Sequence, residues 1–167
     1  NLTASANIGN SRAVNALRMD DATGFTVGST MNSSVLTLTS GGLIATGGGT
    51  HTLTAPVINT GANGAFFQVM AGTTLNIDSA LTGAAFSTVQ GGTINFNTKQ
   101  YFTSTFNQHA GTVKLAGGLN TIMPVKQAYF LNSGATLDLN GNTQFIGNLT
   151  SSSDQTGGGG SVVNTAG

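Results

Sequence analysis

Thr93-Ile94-Asn95-Phe96 alternates polar and apolar side chains. The phrase returns nineteen residues away on either side, as Thr74-Leu75-Asn76-Ile77 and Thr112-Val113-Lys114-Leu115. A period of two marks a strand with one buried face. Val35-Leu36-Thr37-Leu38-Thr39 and Thr136-Leu137-Asp138-Leu139 carry the same alternation. Taking the first inward residue of each unit as an anchor gives Leu17, Leu36, Leu53, Leu75, Ile94, Val113, Leu137 and Val162, about 21 residues apart on average. A strand-rich unit of that length cannot bury its own apolar face, whereas stacked units can.

The columns of such a stack are consistent. Two residues beyond the anchors come Leu38, Ile77, Phe96, Leu115 and Leu139, again apolar. One residue before them, Thr52, Thr74, Thr93, Thr112 and Thr136 form an outward threonine column. Seven or eight residues upstream, Phe67, Phe86, Phe106 and Tyr129 suggest a second wall of the core. The fold expected over residues 1–167 is therefore all-β: one right-handed parallel β-helix of seven to eight coils, with roughly three short strands per coil. Layers stack at ~4.8 Å, and Gly, Asn and Ser turn the corners.

Composition agrees. Gly 25, Thr 26, Asn 17 and Ser 14 make up about half of the 167 residues, and only 6% are charged. Identical side chains stack in register in such a fold, so like charges would repel while Thr and Asn pack or hydrogen-bond. Balanced, sparse charge leaves no basic patch for nucleic acid. Cysteine is absent, which removes a disulfide scaffold and cysteine-based zinc sites. No apolar run approaches the ~20 residues of a membrane-spanning helix, and 38% hydrophobic residues suffice for a core. The start at Asn1 and the stop within a repeat suggest a piece of a longer chain or a processed subunit.

Two segments carry a family resemblance. Gln100-Tyr101-Phe102-Thr103-Ser104-Thr105 followed by Ala110-Gly111-Thr112-Val113-Lys114-Leu115 resembles the core of the autotransporter-associated β-strand repeat, with Phe102 and Ser104 in place of the usual Thr and Gly. The run from Ser133 to Leu149, SGATLDLNGNTQFIGNL, is similar to that family's "G-A-T-L-D-L-N-G-x-x-Q-x-I-G-x-L" segment. Asn15-Ala16-Leu17-Arg18-Met19 and the stretch from Leu36 to Leu43 are similar to its upstream coils. The resemblance implies a passenger segment of a secreted or surface-displayed protein of a Gram-negative-type bacterium. It brings no catalytic residues. Lack of Cys fits passage through an outer-membrane pore.

Candidate chemistry is sparse. Carboxylates are limited to Asp20, Asp21, Asp78, Asp138 and Asp154. A glycosidase needs two of them ~5–9.5 Å apart. Asp20 and Asp21 would face opposite ways, and Asp78 and Asp138 fall three coils apart, ~14 Å. His51 and His109 stand at different offsets and read as surface residues. Gly47-Gly48-Gly49 and the run 157–160 lack the Asp of a calcium nonapeptide and the Lys-Ser/Thr of a phosphate loop. They read as turns. Asn1, Asn32 and Asn148 lie in N-x-S/T sequons, read as chance in an Asn/Thr-rich chain. An ice-binding threonine face is suggested by Thr37-Leu38-Thr39 and Thr52-Leu53-Thr54, but the neighbouring column turns to Asn76, Asn95, Lys114 and Asp138.

The function expected is structural, with no enzyme activity and no cofactor or metal: a stiff spacer or fibre-forming subunit. It rests on the inward ladder of Leu17, Leu36, Leu38, Leu53, Leu75, Ile77, Ile94, Phe96, Val113, Leu115, Leu137 and Leu139. Its partners would be flanking β-helix coils or copies of itself end to end, at the extracellular surface. The rival expectation is an adhesin that binds host or environmental glycans through exposed aromatics such as Tyr101 and Phe102.

Overall fold

A computed structural model describes residues 1–89, 91–123, 127–151 and 158–166. Asp154 and Gly157 lie outside them. The chain is an all-β solenoid of about 6 turns with roughly 23 residues per turn. Among the described residues every strand pairing is parallel, and register holds from one turn to the next except for a shift between Val14 and Ala16, where Arg12–Asp20 pairs with Val35–Thr46.

Each full turn has three walls. The first is an eight-stranded sheet: Ala6–Asn7, Thr26–Gly28, Thr50–Leu53, Thr74–Ile77, Thr93–Phe96, Gly111–Leu115, Ala135–Asp138 and Ser161–Val163, in chain order along the axis. The second and third walls form one 11-stranded sheet because Val35–Thr46 bends from one wall into the next, with Arg12–Asp20 paired along it. The early half of Val35–Thr46 pairs with Val57–Asn59, which begins the rest of the second wall. Its later half pairs with Ala65–Val69, which continues as Phe86–Val89, Phe106–Gln108, Ala128–Leu131 and Asn148–Thr150 in the third. Among the described residues six layers carry all three walls, the seventh lacks a strand in the second wall, and the eighth holds only Ser161–Val163 in the first.

Alternation explains the burial. In Thr74–Ile77 and Thr93–Phe96 the apolar residues are buried and the polar ones half-buried. One apolar cluster runs from Leu17 to Leu137 without a break. Inside it Phe86 stacks on Phe106 at 4.5 Å between ring centroids, and Phe106 on Tyr129 at 4.6 Å. Register puts Phe86, Phe106 and Tyr129 at the same position in successive layers, so their rings meet face on. Corners require special backbone. Gly24 has φ +80, and a Cβ there would collide with the Thr50 backbone of the next layer. Asn120 and Asn140 also take positive φ, which Asn tolerates better than most residues.

The register corrects the expected ladder in its N-terminal half. The true first-wall column is His51–Leu75–Ile94–Val113–Leu137–Val162. Its neighbour is Val27–Leu53–Ile77–Phe96–Leu115. Leu53 thus sits one inward column over from its assigned place. Leu36 belongs to the second wall, opposite Ile58, and Leu17 to the third, opposite Leu43. Leu38 is buried where Val35–Thr46 turns the corner. Leu139 is only half-buried against the core. Phe67 pairs with Thr88, while Ala65 pairs with Phe86. The Phe67 ring still meets Phe86 edge-on at 5.3 Å. These shifts lengthen the mean period from about 21 to roughly 23 residues. In Val35–Thr46 each straight half alternates on its own and the phase changes at the corner, where Thr39 and Ser40 are both exposed, so a pattern match alone does not say which wall it belongs to.

Candidate functional site

The outer face of the first wall carries two polar columns. One runs Thr50–Thr74–Thr93–Thr112–Thr136–Ser161 and the other Thr52–Asn76–Asn95–Lys114–Asp138–Val163. Thr52 therefore stands beside Asn76, not in the threonine column, and Thr50 takes the place expected for it. In the second column Asn95 Nδ2 donates to Asn76 Oδ1 at 2.8 Å. Just past the strand ends, Asn97 Nδ2 donates to Asp78 Oδ1 at 2.6 Å. These are side-chain ladders that run parallel to the backbone ladders and tie successive turns together.

Asp138 is the most heavily engaged carboxylate. It accepts from Asn140 N–H at 2.9 Å, from Thr165 N–H at 3.1 Å and from Thr165 Oγ1 at 2.7 Å, with Lys114 Nζ at 3.8 Å. Burial pushes its carboxyl up, but the bonds from Thr165 and Asn140 and the Lys114 charge outweigh that and leave it below the ordinary range. Asp138 thereby fastens the residues after Val163 to the turn beneath. Asp21 does similar work at a corner. Bonds from the Thr23 hydroxyl and the Thr23 and Gly24 N–H groups lower its carboxyl. Asp20 pairs with Arg18 at 2.7 Å. Asp78 and Asp138 stand three layers apart, in different columns, as the spacing predicts. Among the described residues neither pairs with a second carboxylate in the manner glycoside hydrolysis requires.

The histidines are not brought together. His51 lies fully buried in the first wall, against the sequence expectation of a surface residue. It occupies an apolar column above Leu75, its ring edge-on to Phe25 at 4.9 Å. Its Nε2 is 2.8 Å from the Thr46 carbonyl, which can only accept, so Nε2 carries the proton. Nδ1 has no hydrogen-bond partner. His109 follows the third-wall strand Phe106–Gln108 and receives Asn132 Nδ2 at 3.4 Å. Among the described residues no three His, Cys, Asp or Glu side chains cluster as metal ligands. No helix there is long and apolar enough to cross a membrane.

Sequence reasoning missed three glutamines. Gln100 and Gln108 are fully buried. Gln100 occupies the second-wall column Leu36–Ile58–Leu81–Gln100–Ile122. Its Oε1 accepts from Leu81 N–H at 3.0 Å, and its Nε2 donates to Ser79 O at 3.2 Å and Thr98 O at 2.7 Å. Gln108 Nε2 donates to Gly111 O and Thr136 O, both at 2.9 Å, while Oε1 accepts from Tyr129 Oη at 2.7 Å. Burial raises that phenol well above its usual range, so it stays a donor. Gln144 Oε1 accepts from Ile122 N–H at 2.9 Å and its Nε2 donates to Ile122 O at 3.0 Å. A primary amide offers the same donor and acceptor as a peptide group. Gln144 thus stands in for the second-wall strand that the seventh layer lacks. For Gln100 the available signal was its placement where other coils have an aliphatic residue.

Of the aromatics proposed for glycans, Tyr101 is 46% exposed on the second wall, but Phe102 is fully buried. Strand alternation forces the two to opposite faces, so they cannot form one platform. Comparison with protein-family models, curated proteins and solved structures finds no match to this chain.

Proposed function

We propose that this chain is a structural β-solenoid element of a secreted or surface-displayed bacterial protein, a stiff spacer or fibre-forming unit of the autotransporter-associated repeat type. The observation that carries the reading is the single apolar cluster shared by successive turns, enclosed by backbone ladders on all three walls. Such a stack resists bending, because any bend opens hydrogen bonds on one wall while compressing packed rings on another. The polar surface columns add side-chain ladders in the same direction. Leu149 and Val162, which continue the inward columns of Tyr129 and Leu137 in the last layers, are exposed. A further turn, from a longer parent chain or from another copy, would bury them at ~25 cal/mol per Å² of apolar surface.

Negative-stain electron microscopy at low and high concentration tests this reading. Uniform short rods at all concentrations support a spacer, and long filaments of constant width at high concentration support a fibre unit. Compact, near-spherical particles or irregular aggregates would refute both.

A further inference from the structure

The third wall bears a hollow of about 300 Å³ on its outer face, spanning the first three layers. Register explains it. Ala16, Gly42 and Phe66 make one outward column, and Arg18, Ile44 and Gln68 make the next. Ala16 and Gly42 leave a low floor. Phe66, 53% exposed, rises at one end of it, and Ile44, 39% exposed, flanks it. Arg18 and Gln68 supply planar polar groups at the rim. Arg18 is already paired with Asp20 at 2.7 Å, so the pair contributes no net charge to the hollow.

We infer that this groove binds a neutral carbohydrate, one sugar face lying on the Phe66 ring and its hydroxyls meeting Gln68 and Arg18. The ligand class follows from the lining. An apolar aromatic face beside planar donors and acceptors suits a molecule with one C–H face and a hydroxyl rim. An anion would find Arg18 already neutralised. A wholly apolar ligand would strip water from Arg18 and Gln68 without replacing their hydrogen bonds. No carboxylate pair stands in the groove, so it binds sugar without cleaving it. The groove is independent of the spacer reading: a rod without it is still a rod.

The test titrates the intact chain, at millimolar ligand, with hexamers of β-1,4-linked glucose, α-1,4-linked glucose and β-1,4-linked N-acetylglucosamine, followed by amide chemical shifts and calorimetry. At least one sugar should give saturable shifts centred on Gly42, Phe66 and Gln68. Phe66→Ala should weaken binding roughly tenfold, the effect of removing one aromatic stacking surface. Gly42→Val should abolish binding by filling the floor. A Cβ at Gly42 meets only the Ser40 hydroxyl at 3.2 Å and Ala16 Cβ at 3.5 Å, and the glycine is not in the left-handed region, so a cooperative melt is required of this variant before its binding is read, and Phe66→Ala, on an exposed side chain, tests the groove should Gly42→Val fail to fold. Absence of shifts with all three sugars overturns the inference. So does binding that survives both substitutions, or shifts centred on Tyr101. Shifts of the groove amides by octanol with no response to sugars would make it an apolar docking face and would also overturn the inference.

Discussion

Replacing Gln100 by methionine isolates what a buried amide contributes to a solenoid. The two side chains have similar length and volume, so packing in the column between Leu81 and Ile122 is conserved. What disappears is the hydrogen bond from Leu81 N–H at 3.0 Å and the donor to Thr98 O at 2.7 Å. Ser79 O keeps a partner, the Thr98 hydroxyl at 2.8 Å. An unsatisfied buried backbone group costs ~1–3 kcal/mol. Leu81 is fully buried, while Thr98 is half-buried and its carbonyl recovers part of the loss from water. Methionine regains a little through apolar burial. The net expectation is a loss of about 2–3 kcal/mol, a drop of ~5–10 °C in melting temperature for a chain of this size. Repeat proteins can unfold in parts, so amide hydrogen exchange accompanies the melt. The Leu81 amide should lose protection, while amides of the first two layers change little. Gln100→Glu should be worse than Gln100→Met, because it removes the donor and buries a charge. The reasoning fails if Gln100→Met melts with the wild type and leaves Leu81 protected.

Three further outcomes are expected. Ile94→Asp places a carboxylate at a site 1% exposed between Leu75 and Val113, and should cost more than ~4 kcal/mol, read as loss of the cooperative circular-dichroism melt. Gly24→Ala should be severe, since its Cβ meets Thr50 backbone at φ +80. Gly72→Ala, at φ +81 with open space around it, should cost only ~1–2 kcal/mol of left-handed strain, and chemical denaturation of the pair separates clash from strain. The Asp138 carboxyl is depressed in the folded chain, so its contribution to stability is fully present above the unfolded value of 3.8 and is lost as pH falls through the lower folded value. In urea melts taken from pH 7 down to below pH 4, Asp138→Asn should therefore show a flatter acid limb than the wild type, with the difference largest near neutral pH and shrinking below pH 4.

The first wall from Leu75 to Leu137 was legible because its units are strict four-residue alternations with an invariant leading threonine. Upstream, legibility failed for a physical reason. Arg12–Asp20 and Val35–Thr46 bend from one wall into the next, and the straight stretches that hold Leu17 and Leu36 alternate like a first-wall strand while lying in other walls. The first of the two inward residues in the third layer of the first wall is His51, which a binary apolar pattern passes over in favour of the second, Leu53. Gln100 and Gln108 were hidden in the same way. A polar residue in a core column is tolerated when its hydrogen bonds are completed by the adjoining turn, and those partners lie about twenty residues away or more. Phe102 was misjudged as exposed because the corner before Gln100 sets which face each residue takes. The groove beneath Phe66 was invisible until register placed Gly42 beside it.

The claim that most depends on this register is that each turn adds one rung to a straight axial stack. The chain lacks cysteine, so two introduced cysteines take spin labels cleanly. Thr52 and Val163 belong to one outward column, five layers apart through Asn76, Asn95, Lys114 and Asp138. At ~4.8 Å per layer their backbones are ~24 Å apart. Pulsed electron spin resonance on Thr52→Cys with Val163→Cys should give a single narrow distribution near that value, allowing for the label arms. Moving the second label from Val163 to Asp138 should shorten it by one layer. A broad distribution, or one that does not shorten, would contradict the stacked solenoid.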